Sequence, residues 1–148
     1  MGAAKATTIE VTYQDGMRFD ATGQDEVDVA MDSSEEHGGT SSGFRPMELL
    51  LVGLGGCAGM DVISILRKKR QDVTAYHIEV SGVPASTTPH VYTSIAIRHI
   101  LHGNGLSPDA VRRAIELSEK KYCSAYAMLE KAAPITSTFE ICPAGPSD

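Results

Sequence analysis

Positive charge is in deficit: 13 Lys and Arg against 19 Asp and Glu leave a net charge of -6 at pH 7. A chain that grips a phosphate backbone usually carries a basic patch or stripe, so nucleic acid is not an expected partner. The basic cluster Arg67-Lys68-Lys69-Arg70 falls at the end of a predicted helix, where cations complement the helix dipole. Long hydrophobic runs are missing as well. The uncharged stretch from Leu49 to Met60 is 12 residues and stops at Asp61, too short to cross a bilayer, so no membrane association is expected. The N-terminal MGAAKATTIEV lacks an apolar core of signal-peptide length, and Ala6 stands where a myristoylation signal needs Ser or Thr. Cysteine is scarce and odd in number, three in 148 residues, which fits free thiols in a reducing cytoplasm better than a disulfide framework.

What remains is an ordinary soluble composition, 42% hydrophobic and 22% charged, in a chain long enough to bury a core as one domain over 1–148. Thr8 to Tyr13 alternates at period two, Gln14-Asp15-Gly16 marks a turn, and Met17 to Ala21 and Glu26 to Asp32 alternate again. These predict an antiparallel meander with one wet face. The polar stretch 33–43, SSEEHGGTSSG, is expected to be a flexible loop. Two further strands are predicted around Tyr76 to Val80 and Val91 to His99. Ser107-Pro108-Asp109 announces a helix with a serine cap and proline at its first position, and Val111, Ala114 and Ile115 form its apolar stripe. CSAYAMLEKA is helical in composition, and Thr136 to Ile141 reads as a closing strand. The order β-β-β-α-β-β-α-α-β, with strands and helices in separate runs, is an α+β pattern, expected to be antiparallel.

The stretch PMELLLVGLGGCAGMDVISILRKKR, 46–70, admits two readings. Gly53 to Ala58 fits G-x-G-x-x-A, the phosphate turn of a dinucleotide-binding unit. That fingerprint needs a leading strand and following crossover units. Here Pro46 with Glu48 in the first turn starts a helix instead, and only two strands separate this stretch from the next helix. As one helix from Pro46 to about Arg70, it is apolar nearly all round before Asp61 and must be buried on every side. Gly53, Gly55, Gly56 and Gly59 each cost up to about 1 kcal/mol in a helix interior, which close approach of another backbone would offset. A partly open sheet of roughly six strands would cover one side. A symmetric copy of the helix would cover the other, which predicts a homodimer.

Cys57 lies mid-helix among these glycines, Cys123 at the start of the CSAYAMLEKA segment, where helix N-terminal N–H groups favour a thiolate, and Cys142 near the end as a bystander. His99 and His102, reading H-I-L-H, lack partners for a metal site, and no metal is expected. "PMELLLVGLGGCAGMDVISILRKKRQDV" and "AIELSEKKYCSAYAMLEKAAPITSTFEI" together resemble the OsmC/Ohr family, most closely its YhfA-like branch, over nearly the whole chain after residue 8. The resemblance implies an intertwined α+β homodimer of OsmC-like fold around a long buried central helix. It also implies reduction of organic hydroperoxides, and of hydrogen peroxide, by two cysteines at the subunit interface without metal or organic cofactor.

Carried over to this sequence, the resemblance makes Cys57 the peroxidatic thiol and Cys123 the resolving one, with a lipoyl or thioredoxin-like dithiol restoring the pair. The family's helper arginine corresponds to Arg18, after Asp15-Gly16. Its glutamate position is occupied by Met47. Glu48 does not replace it, since at about 100° per residue it points about 180° around the helix from Cys57, whereas position 47 lies within about 80°. Met47, Met60, Tyr122 and Tyr126 are the candidates for lining a substrate pocket. The competing expectation is a dimer of the same fold that binds a small molecule or senses redox state without turnover.

Overall fold

The computed structural model describes residues 2–145. Their contacts divide into two compact units, parted after Leu50, each built around its own three-stranded sheet.

In the first unit, β1 (Glu10–Tyr13), β2 (Phe19–Thr22) and β3 (Asp28–Met31) form an antiparallel meander in that order, pairing Tyr13 with Phe19 and Phe19 with Met31. The first reversal is tight because Gly16 takes a positive φ of 52°, which glycine adopts without strain. One face was expected to be wet. In fact every residue of β1 is exposed, so both faces of the strand, Glu10 and Thr12 on one and Val11 and Tyr13 on the other, meet solvent within the single chain. The polar loop that follows closes on one carboxylate. Asp32, itself buried, accepts hydrogen bonds from the backbone N–H of Ser33, Thr40 and Ser42 and from the hydroxyls of Thr40 and Ser42. The two Ser42 bonds lead in holding this carboxyl far below the ordinary aspartate range.

The central helix α1 spans Pro46–Lys68, close to the predicted limits. Arg45 caps it: its backbone N–H donates to the Glu48 carboxylate at 2.7 Å, half of a capping box. At 23 residues α1 is long and apolar enough to cross a membrane by length and composition alone, which corrects the expectation drawn from the 12-residue run. That run stopped at Asp61, but one carboxylate does not end a helix. Its packing identifies it as a core helix: Leu54, Ala58, Val62 and Leu66, four residues apart, form one fully buried stripe.

In the second unit, β4 (Asp72–Pro84) and β5 (Tyr92–Asn104) form a long antiparallel hairpin. Helix α2 (Pro108–Leu117) starts at Ser107, whose hydroxyl accepts from Ala110 N–H at 3.2 Å. A π turn, Ser118–Tyr122, leads to the short α3 (Ser124–Leu129), and β6 (Ile135–Pro143) closes the sheet in the order β4-β5-β6. Two expectations need correction here. The strands form two three-stranded sheets rather than one sheet of six, and β6 runs parallel to β5, pairing Ile95 with Ile135 and Leu101 with Ile141. A parallel neighbour requires a crossover, and the α2–α3 segment supplies it. The inward face of β5 carries Ile95, Ile97, His99 and Leu101 at period two, all buried.

Two of the four helix glycines admit a close neighbour, although what they meet is side chains rather than the expected backbone. A Cβ on Gly59 would stand 2.7 Å from Ile78 Cδ1, and one on Gly55 3.0 Å from Val80 Cγ2, so both let α1 settle closely on β4. Gly53 and Gly56 face open space, with nothing within 4 Å of an added Cβ.

Candidate functional site

The second unit brings three reactive side chains together. Cys57 Sγ, Cys123 Sγ and a carboxylate oxygen of Asp61 all lie within 4.8 Å of one another, and the cysteines are free thiols. Cys57 and Asp61 are four residues apart on α1 and so share a face. The π turn sets the third member. Cys123 N–H bonds to the Ser118 carbonyl at 2.7 Å, closing the widened turn, and Cys123 then caps α3, its Sγ accepting from Tyr126 N–H at 3.3 Å. Ser118, 1% exposed, donates its hydroxyl to Asp61 Oδ2 at 3.1 Å. Asp61 and Ser118 were not singled out in the sequence; the i, i+4 spacing from Cys57 was the available signal for the first, and nothing local marked the second.

The surroundings of Cys123 hold it in its neutral form. Burial pushes Cys123 up to about 11, the backbone N–H of Tyr126 opposes this, and the neighbouring Cys57 and Asp61 add to it. Cys123 is therefore a protonated thiol at neutral pH, whatever help its helix cap gives. Leu54, Ala58, Ile95, Ile97 and Ala133 enclose it, with Cys57 and Tyr126 packed against the same cluster.

Beside the thiols, a cavity of about 340 Å³ is lined by Asp61, Ser64, Ile65, Lys68, Lys69, Leu117 and Tyr122. Tyr122 thus fronts a cavity and Tyr126 packs at the thiols, whereas Met60, 73% exposed, lines neither. Met47, also exposed, and Arg18 belong to the first unit. Arg18 pairs with Asp20 through two contacts, Nε to Oδ1 at 2.9 Å and Nη2 to Oδ2 at 3.3 Å, and this pairing raises its already high pKa. Cys142 stands apart, its Sγ 3.6 Å from the Glu140 carboxylate. His99 is buried on Tyr76, and His102 Nδ1 lies 3.3 Å from the Pro143 carbonyl.

Comparison with known proteins places these features in a family. The family model described as OsmC-like protein matches residues 38–138. Protein YhfA of Escherichia coli K12 is 43% identical over 96 residues, covering 65% of this chain and 72% of that protein. The crystal structure of a hypothetical protein from Aquifex aeolicus superposes with a TM-score of 0.84 at 28% identity, over 96% of this chain and all of that one. The organic hydroperoxide resistance protein OhrB of Bacillus subtilis shares the fold, with a TM-score of 0.62 at 13% identity, over 93% of this chain and all of that one.

Proposed function

Because the chain belongs to the OsmC-like protein family, we propose that it is a thiol-dependent peroxidase that reduces organic hydroperoxides, and hydrogen peroxide, in the cytoplasm. The observation that carries this reading is the meeting of Cys57, Cys123 and Asp61 within 4.8 Å. The relation to a hydroperoxide resistance protein of the same fold supports the substrate class.

In the proposed cycle the Cys57 thiolate attacks the distal oxygen of ROOH. The O–O bond breaks, ROH leaves after taking a proton, and Cys57 becomes a sulfenic acid. The Cys123 thiol then displaces water from that sulfur to give a disulfide, and a lipoyl or thioredoxin-like dithiol reduces the pair. A thiol held protonated up to about pH 11 suits the resolving role, since it does not compete for the peroxide. Arg18 is the cation assigned to polarise the peroxide, with Asp20 as the carboxylate that orients it where the family glutamate is replaced by Met47. The test is consumption of cumene hydroperoxide and of hydrogen peroxide with dithiothreitol as donor. Cys57→Ser is expected to fall to the uncatalysed rate, and equal consumption by variant and wild type sinks the peroxidase reading.

We also assign the chain a homodimer through the outer face of α1. Val52, 49% exposed, and Met60 flank Gly53 and Gly56 on that face, an apolar stripe on a soluble chain with small residues that admit a second backbone. Gly56→Lys sets two cations against each other across a twofold axis. Its dimer dissociation constant is expected to rise on the order of 100-fold, or about 3 kcal/mol at about 1.4 kcal/mol per tenfold. Sedimentation velocity checks this, and an unchanged constant places the interface elsewhere.

A further inference from the structure

The two thiols and the carboxylate form a donor set whose chemistry extends beyond peroxide. We propose that the reduced protein binds one zinc ion through Cys57 Sγ, Cys123 Sγ and the Asp61 carboxylate, with water in the fourth position.

The geometry fits. Around tetrahedral zinc, with Zn–S near 2.3 Å and Zn–O of 2.0–2.2 Å, neighbouring ligand atoms lie about 3.5–3.8 Å apart. The three donor atoms already stand within 4.8 Å of one another, so a contraction of at most about 1 Å, within reach of small side-chain rotations, completes the site. Two of the ligands are held in place before any metal arrives. The buried Ser118 hydroxyl fixes Asp61 through Oδ2, leaving Oδ1 free of that bond, and Tyr126 N–H holds the Cys123 sulfur. Hydrogen bonds of this kind to metal ligands orient them for coordination.

Thiolate donors select a borderline-soft ion over magnesium or calcium, which require oxygen. Three protein ligands with one open position is also the arrangement that leaves the fourth position to an exchangeable water. The ion offsets most of the charge of two thiolates and a carboxylate, and its binding expels the thiol protons. Asp61 also lines the cavity of about 340 Å³, a route for a hydrated ion to reach the donors.

Zinc and peroxide need the same sulfurs, so each excludes the other. Oxidation of the bound pair removes two electrons from the sulfurs, forms the S–S bond and releases Zn²⁺. With peroxide as oxidant, ROOH and two protons become ROH and water. The site is thus a zinc site only while the pair is reduced, and it requires no peroxidase turnover, so the two proposals fail separately.

The test titrates zinc into fully reduced, metal-free full-length protein against a chromophoric chelator, with cobalt as the spectroscopic probe. One equivalent is expected to bind, with thiolate-to-cobalt charge-transfer absorption and release of protons. Asp61→Asn and Ser118→Ala are each expected to weaken binding about 10–100-fold, and Cys142→Ser to leave it unchanged. In the wild type, zinc should shield Cys57 and Cys123, but not Cys142, from iodoacetamide, a readout that needs no variant. Oxidation with diamide, a thiol oxidant that is not a peroxide, should expel the ion. Absence of binding at micromolar zinc, binding unaffected by Asp61→Asn, or loss of binding in Cys142→Ser overturns the site.

Discussion

Cys123→Ser, given one equivalent of cumene hydroperoxide, is expected to stop at a Cys57 sulfenic acid that dimedone captures, where the wild type goes on to a 57–123 disulfide. On the proposed cycle the serine hydroxyl cannot displace water from the oxidised sulfur. Excess peroxide then drives Cys57 on to sulfinic acid, which dithiols do not reverse. The wild type carries a quantitative signature of the same step. Burial holds the Cys123 thiol up to about 11, and the thiolate is the nucleophile in disulfide formation. Between pH 7 and 10 its thiolate fraction, and with it the rate of disulfide closure, is expected to rise about tenfold per pH unit. Stopped-flow mixing with one equivalent of peroxide, quenched with acid and mapped by mass spectrometry, measures both. A dimedone adduct on Cys123 in the wild type, or no adduct on Cys57 in the variant, reverses or removes the assignment. A closure rate flat with pH shows that Cys123 does not act as a buried thiol.

Acid should unfold this protein through one core histidine. His99 is 1% exposed, its Nδ1 lies 2.6 Å from the Tyr76 hydroxyl, and its Nε2 is buried without a hydrogen-bond partner. Burial lowers its pKa from the ordinary 6.5 to about 4, because a charged imidazole in that position loses its water and gains no counter-ion. The folded state therefore holds His99 neutral while the unfolded chain takes up a proton. The associated stability is present above pH 6.5 and is lost as pH falls toward about 4. At about 1.4 kcal/mol per pH unit, the loss is about 3 kcal/mol, a large share of the 5–15 kcal/mol typical of a domain. His99→Phe keeps an aromatic ring in the core and removes the titration, so its unfolding free energy should change less between pH 7 and 4 by about that amount. Urea unfolding of both proteins at several pH values decides it; parallel pH dependences rule out His99 as the acid-labile group.

How much of this was legible in the sequence depends on how far apart the cooperating residues stand. The elements came from local rules. Period two marked Glu10–Tyr13, Phe19–Thr22 and Asp28–Met31, Pro46 with Glu48 marked the start of α1, and Ser107-Pro108 marked α2. Family resemblance added the two cysteines. The dinucleotide fingerprint was a false lead for a physical reason: Gly55 and Gly59 are small so that β4 can pack against the helix, a demand that yields the same letters as a phosphate turn. Arg18 is marked by its place after a turn, and its pairing with Asp20 is just as local, since a period-two strand puts residues 18 and 20 on one side.

Near neighbours in the chain are enough to set the order β-β-β-α-β-β-α-α-β, the helix of α1, the starts of α1 and α2, and the presence of two thiols in helical surroundings. Each is set by residues within about one turn or one strand of each other, where propensity, capping and periodicity act. Long-range packing, by contrast, parts the strands into two sheets, lays β6 parallel to β5, and joins Asp61 and Ser118 to Cys57 and Cys123. These pairings join residues far apart in the chain, about 40 positions for β5 and β6, 57 for Asp61 and Ser118 and 66 for Cys57 and Cys123. They are fixed by which buried faces fit together, and the packing of α1 on β4 and β5 that brings them about leaves no local trace in the letters.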